Sequence, residues 1–189
     1  MALFTKDDIA RVQVRGIPIF ESATESLQKQ AKEFSEFKTY DIFLSHSFLD
    51  ANEIRKIRQL LQNFGHTVYV DWEEDPQLDR SKVNKETAKR IRTRMCCCRS
   101  LFFAISGNSS NSKWMPWELG FSDAFSGKVA IMPILDRPTY NDIYDGQEYL
   151  GLYPYVSGDT VSLWIHESER DKKRYCDWIL EQRRLSKKF

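Results

Sequence analysis

Glu118 is the residue whose setting points most directly to chemistry. It follows Trp114 by four positions, so on a helix the two side chains share a face. Trp117 and Phe121 stand close by, which places a carboxylate among aromatic rings. Glutamate is seldom buried without a partner. The spacing leaves two readings open. Glu118 either sits at the edge of an apolar stripe, pairing with an arginine or capping the helix, or it lines a ligand crevice. Two further groups could hydrogen-bond a ligand: Ser45, His46 and Ser47, and then Ser106, Gly107, Asn108 and Ser109.

Other kinds of chemistry find little support. His46 beside Ser45 resembles a base next to a nucleophile, but adjacent residues on one turn rarely form such a pair, and no GxSxG elbow is present. The turn SHSFLD lacks GxGxxG and a GKS or GKT ending, which disfavours dinucleotide dehydrogenases and P-loop NTPases. Asp71, Trp72, Glu73, Glu74, Asp75 and Asp79 make an acidic stretch whose spacing does not fit an EF-hand, so a solvated loop is expected. His66 and His166 read as isolated surface or packing residues. Cys96, Cys97 and Cys98 in a row make a poor disulfide framework, and no CxxC pair marks a zinc site. They suit the end of a helix entering a buried strand, in a reducing compartment. No metal and no bound cofactor is expected.

The elements that must position these groups follow from hydrophobic pattern. Residues 40–45, 66–70, 100–105 and 129–135 are short runs of β-formers, apolar almost throughout, as suits strands covered on both faces of a parallel sheet. Pro133 suggests that the fourth ends early or lies irregularly. Between them, residues 50–64, 83–96 and 113–126 carry helical periodicity. Ile54, Ile57, Leu60, Leu61 and Phe64 form the stripe of the first, and Gly65 stands where a helix C-terminus favours glycine. Pro116 is tolerated in the first turn of the third. Before the first strand, residues 21–37 place Leu27, Ala31, Phe34 and Phe37 near helical spacing. After the fourth, residues 137–160 read as a long functional loop, and 149–155 or 161–165 could supply a last strand. Residues 167–185 read as a charged helix with Tyr175, Trp178, Ile179 and Leu185 facing inward.

Strands alternating with helices give βαβ units and a parallel sheet. The expected fold is α/β and flavodoxin-like, with about five strands in the order 2-1-3-4-5. Its core spans residues 39–136, between an N-terminal helical extension (1–38) and a C-terminal region (137–189) that packs on it. In such sheets ligands bind outside the carboxyl ends of the strands, where the strand order reverses. That point falls at Ser45–Ser47 and Ser106–Ser109, beside the start of the helix carrying Glu118, whose amides can help to bind an anion.

Composition bounds the partners. The chain has 189 residues with 41% hydrophobic, enough for one domain with a substantial core. Its net charge of +1, from 28 basic and 27 acidic residues, argues against nucleic acid. No apolar stretch approaches the length of a membrane span. MALFTKDDIARVQVRG has no apolar region of the secretory type, so a cytoplasmic location is expected.

Two motifs tie these pieces to a known family. Tyr40-Asp41-Ile42-Phe43-Leu44-Ser45 resembles the first signature box of Toll/interleukin-1 receptor (TIR) domains, and Val70-Asp71-Trp72 is similar to the start of their BB loop. Ser112-Lys113-Trp114-Met115-Pro116-Trp117-Glu118-Leu119 resembles, without a gap, the Ser-x-Trp-Cys-x-x-Glu-Leu of enzymatic TIR domains, with Met115 in place of the usual Cys. The resemblance covers about half the chain. It implies cleavage of the nicotinamide–ribose bond of NAD as substrate, with Glu118 as the catalytic residue. It further implies NAD contacts from Ser45, His46, Phe48, Asp71, Ser106 and Trp114. A free-standing TIR domain is similar in organisation to the TIR protein of the Thoeris antiphage system, where a cyclic ADP-ribose isomer activates a separate effector. The partners implied are NAD, that effector reached through a diffusible nucleotide, and further copies through self-association. The competing reading is a non-catalytic adaptor that binds other TIR domains through its BB loop and helices; a nucleotide sensor without turnover is a third.

Overall fold

The computed structural model describes residues 2–14, 38–47, 51–75, 83–105, 112–138, 143–144 and 148–181. Eight strands form one sheet: β1 (Phe4–Thr5), β2 (Tyr40–Ser45), β3 (Val68–Tyr69), β4 (Cys98–Ile105), β5 (Val129–Leu135), β6 (Tyr155–Gly158), β7 (Leu163–His166) and β8 (Lys172–Arg174). Their order is β3-β2-β4-β5-β6-β7-β8, with β1 beside β5 off that path. From β3 to β6 every neighbour is parallel, which is the 2-1-3-4-5 order of a flavodoxin-like sheet. β7 and β8 extend it as an antiparallel edge.

The helices are α1 (Lys6–Ala10), α2 (Ala51–Asn63), α3 (Asp71–Glu74), α4 (Lys85–Cys96), α5 (Met115–Ser126) and α6 (Tyr175–Leu180). On one face of the sheet Ile42, Leu44, Phe102 and Ala104 meet Ile54, Ile57 and Leu61 of α2 and Trp178 of α6. On the other, Phe43, Tyr69, Leu101 and Phe103 meet Ile91 and Met95 of α4 and Met115 and Leu119 of α5. Each of the buried Ile, Leu, Phe and Met side chains among them contributes about 1.5–3 kcal/mol. Alternation along β2 therefore sends Leu44 toward α2, and Phe43 and Ser45 toward α5.

Local chemistry sets the ends of the helices. Gly65, at φ +88°, follows α2, and Gly127, at φ +63°, closes α5 with its amide on the carbonyls of Ser122 and Asp123. The Asn84 side chain accepts from the Thr87 amide at 2.8 Å and starts α4.

The ends of the chain depart from the expectations. The N-terminal extension enters the sheet at once: Phe4 and Thr5 pair with Ile134 and Leu135, and Thr5 and Asp8 form a capping box on α1. The helix expected over 21–37 lies outside the described residues. β5 runs straight through Pro133 to Leu135, because Pro133 is the last residue it offers to β4 and the missing amide falls where that ladder stops. Both candidate last strands contribute, shifted to Tyr155–Gly158 and Leu163–His166, while Tyr149 lies in a 3₁₀ turn, Glu148–Leu152. The C-terminal helix starts at Tyr175 rather than 167. Residues 167–171 instead close a turn, with the Glu167 amide on the Asp171 carbonyl, and 172–174 pair with β7. Tyr175 and Trp178 are buried and Ile179 packs against the core, as expected; Leu185 lies outside the described residues.

Candidate active site

The carboxyl ends of β2 and β3 and the first turn of α5 converge on one point. The Ser45 hydroxyl, at the end of β2, donates to Glu118 Oε2 at 2.6 Å, and both residues are 0% exposed. A fully buried carboxylate is costly without hydrogen bonds. This one is placed by the helix itself, since Met115 and Leu119 pack on the sheet on either side of it in sequence. Trp114 lies one turn earlier, buried and edge-on to Trp117, with its carbonyl accepting from the Glu118 amide at 2.9 Å.

His46 is buried next to this pair, but its ring is already engaged. Its Nδ1 lies 2.8 Å from the Leu44 carbonyl, and its Nε2 accepts from the Trp72 indole N–H at 2.9 Å. That pattern assigns the neutral tautomer with the proton on Nδ1. Asp71, also buried, brings Oδ1 to 3.6 Å from His46 Nε2. Of the residues expected to touch substrate, Ser45, His46, Asp71, Trp114 and Glu118 thus gather at this end of the sheet. Phe48 and Ser106 lie outside the described residues.

The described part of the acidic stretch after β3, residues 71–75, is not a solvated loop. Asp71 and Asp75 are buried, and the segment opens as a one-turn helix. Asp75 receives Arg94 through both Nε, at 2.7 Å, and Nη2, at 3.1 Å, and takes the Tyr69 hydroxyl at 2.7 Å. Glu73 and Glu74 both bond Arg58. Glu73 also bonds Arg55, and Glu74 accepts the Tyr40 hydroxyl at 2.6 Å. Burial, then the Asp75 charge and hydrogen bond, push the Tyr69 phenol far above its ordinary range. Burial alone would weaken the Arg94 cation, but its bonds to Asp75 turn the shift upward, so the guanidinium stays charged. The readings of the sequence missed Arg94 and Trp72. Arg94 left a signal, because Thr87, Ile91, Arg94 and Met95 fall on one buried stripe of α4. A cation on such a stripe needs a buried carboxylate.

Elsewhere, burial raises the Cys98 thiol, which keeps it protonated and a poor nucleophile. His66 meets Tyr175 edge-on, and His166 stacks on Tyr155 with Nε2 2.7 Å from the Ser157 hydroxyl, so both are packing residues. Among the described residues no group of three or more His, Cys, Asp or Glu side chains is placed to hold a metal ion.

No protein-family model matches the chain. It is 48% identical over 191 aligned positions to a Bacillus cereus (strain MSX-D12) protein named "Probable 3' cyclic ADP-D-ribose synthase ThsB'", covering 95% of this chain and 98% of that protein. The chain belongs to the TIR family of the Thoeris type. A shorter stretch of this TIR chain, 86 residues or 45% of it, is 33% identical to a Cytobacillus dafuensis protein named "Putative cyclic ADP-D-ribose synthase TIR2", of which it covers 23%. In this TIR chain Glu118 stands beside the end of β2, hydrogen-bonded to Ser45, where the strand order of the sheet reverses.

Proposed function

We propose that the chain is an NAD-cleaving enzyme that releases nicotinamide and closes the remaining ADP-ribose into a cyclic product, a diffusible signal for a separate effector in antiphage defence. One observation carries the reading. A glutamate with no exposed surface sits 2.6 Å from a serine hydroxyl at the carboxyl end of β2, in a chain alike over 95% of its length to a protein named as a probable synthase of this kind.

The chemistry follows from the geometry. Loss of nicotinamide leaves positive charge on the ribose, as in glycoside cleavage through an oxocarbenium-like state. The Glu118 carboxylate faces this charge and accepts hydrogen bonds from the ribose hydroxyls, which replace the Ser45 hydroxyl one for one. A fixed anion in a site closed to water stabilises such a state strongly. The electron pair of the broken C–N bond leaves with neutral nicotinamide. A nucleophile of the same molecule then bonds to the ribose carbon and gives up a proton. Holding that group closer than water makes cyclisation outrun hydrolysis. Trp114 forms one wall of the pocket and Asp71 the end nearest β3, and the family resemblance adds Phe48 and Ser106 as substrate contacts. Neither Glu118 nor Ser45 is exposed, so substrate entry must part the groups that cover them.

The substrate pool and the effector place this activity in the cytoplasm. Among the described residues no helix is long and apolar enough to cross a membrane. Self-association belongs to the same proposal, as a route by which an infection switches the enzyme on.

The test is mass spectrometry of NAD incubated with the purified chain beside Glu118→Gln, alone and in extract of phage-challenged cells. Nicotinamide together with a cyclic ADP-ribose isomer, from the wild type only, is the expected result. Linear ADP-ribose alone would change the role to NAD depletion. A folded chain that turns over nothing in any condition would make it a binding adaptor.

A further inference from the structure

Trp72, within the acidic segment, and His46, next to Ser45, join that segment to the catalytic pair. The His46 ring closes a short loop onto its own strand, through Nδ1 to the Leu44 carbonyl at 2.8 Å. That bond spans Ser45, so it fixes the backbone from which the Ser45 hydroxyl reaches Glu118. The other ring nitrogen accepts the Trp72 indole N–H at 2.9 Å. Trp72 is held in turn: its ring lies under the Arg55 guanidinium, 4.7 Å from centroid to carbon, and Arg55 also bonds Glu73. Its neighbours Glu73 and Glu74 are tied to Arg58 of α2. The chain of contacts thus runs from α2 through α3 to the end of β2 without a break.

We propose that Trp72 and His46 act as a latch, a pair of positioning residues that hold Ser45 and Glu118 in register for the cleavage step. The proposal rests on the reading of Glu118 as the catalytic group. The latch assigns His46 a different task from substrate contact, since both of its ring nitrogens are engaged within the protein. It also gives the segment after β3 a purpose, because its ion pairs hold Trp72 where the indole must be. Misplacement of reacting groups by about 1 Å can cost on the order of 100-fold in rate, so a bond that sets this register acts on turnover more than on affinity.

The experiment compares Trp72→Phe, His46→Gln and His46→Asn in steady-state NAD cleavage. Phe keeps an aromatic ring under Arg55 and removes the indole N–H along with the second ring. Gln can present an acceptor near the position of Nε2, whereas Asn reproduces only the Nδ1 side. Trp72→Phe should lower kcat about 10-fold with KM within about two-fold. His46→Gln should retain more activity than His46→Asn, and Trp72→Phe should add nothing further in the His46→Asn background. Unchanged kcat in Trp72→Phe, or a raised KM with kcat intact, overturns the latch. So does full additivity of the two substitutions. A ¹⁵N–¹⁵N coupling across the hydrogen bond from Trp72 Nε1 to His46 Nε2, sought by NMR in the wild-type chain, is independent of catalysis. If wild-type NAD cleavage fails, the enzyme reading falls and the coupling alone decides whether the latch exists; its absence removes the latch even where turnover is present.

Discussion

Two buried acidic residues are held in opposite ways. Asp75 sits in a ring that uses an arginine and a phenol: Arg94 grips it through two nitrogens, and Tyr69 donates to one of its oxygens. Glu118 meets the hydroxyl of Ser45, a small neutral donor that a substrate hydroxyl can replace in kind. A guanidinium in a bidentate pair gives directional strength and does not exchange readily. The first arrangement suits a group that must never move, the second a group that must change partners. On the proposed function, polar burial serves architecture in one case and chemistry in the other.

The comparison predicts a crossed result. Glu118→Gln keeps the shape and can still accept from Ser45, so the fold should survive. Its turnover should fall about 10²–10³-fold, the usual cost of losing one charge-stabilising group. Turnover at the wild-type rate would remove Glu118 from the chemistry and erase the distinction. Arg94→Met should do the reverse. It leaves Asp75 buried without its cation and should destabilise the chain by about 3–5 kcal/mol in chemical denaturation. The molecules that remain folded should still cleave NAD. If Arg94→Met abolished turnover while leaving stability untouched, Asp75 would belong to the active site instead.

Glu73 and Glu74 sharpen the contrast at a lower level. They face Arg58 and Arg55 near the surface, where ion pairs contribute about 0–1 kcal/mol. Glu73→Gln or Glu74→Gln should cost about 1 kcal/mol, with a small drop in turnover transmitted through Trp72. A loss as large as that of Glu118→Gln would move the catalytic centre to the segment after β3.

What could be read from the sequence follows the range of the interactions. The parallel core was legible because β2, β4 and β5 are buried on both faces and show it as runs that are apolar almost throughout. Glu118 was legible because its partner in the pattern, Trp114, lies one helical turn away. Where one residue depends on another far along the chain, the signal fades. Asp75 and Arg94 are 19 residues apart, and Ser45 and Glu118 are 73 apart. Nothing local to Asp75 separates a buried anion from a solvated one. The antiparallel edge was hard to place for a different reason. β6, β7 and β8 have 4, 4 and 3 residues, too short for alternation to stand out from the loops around them.

The amino end of the sheet gives the smallest predicted effect and the cleanest control. His66 precedes β3 there, edge-on to Tyr175 with ring centroids 4.7 Å apart. Burial lowers its pKa below the ordinary 6.5, and the charge of Asp41 only partly opposes this. The folded chain therefore binds the His66 proton less readily than the unfolded chain does. Between the folded value and 6.5 the unfolded state carries more proton, so stability falls as pH drops through that window and levels off beneath it. His66→Phe removes the proton site and keeps an aromatic ring against Tyr175, so it should flatten this part of the pH–stability curve. The change is about a degree or two in melting temperature, because His66 is only half-buried. Cleavage of NAD per folded molecule should have the same pH profile in both chains, since His66 lies at the end of the sheet opposite Glu118. A profile that moved with His66→Phe would show that the two ends of the sheet are coupled, and that the carboxyl end does not work alone.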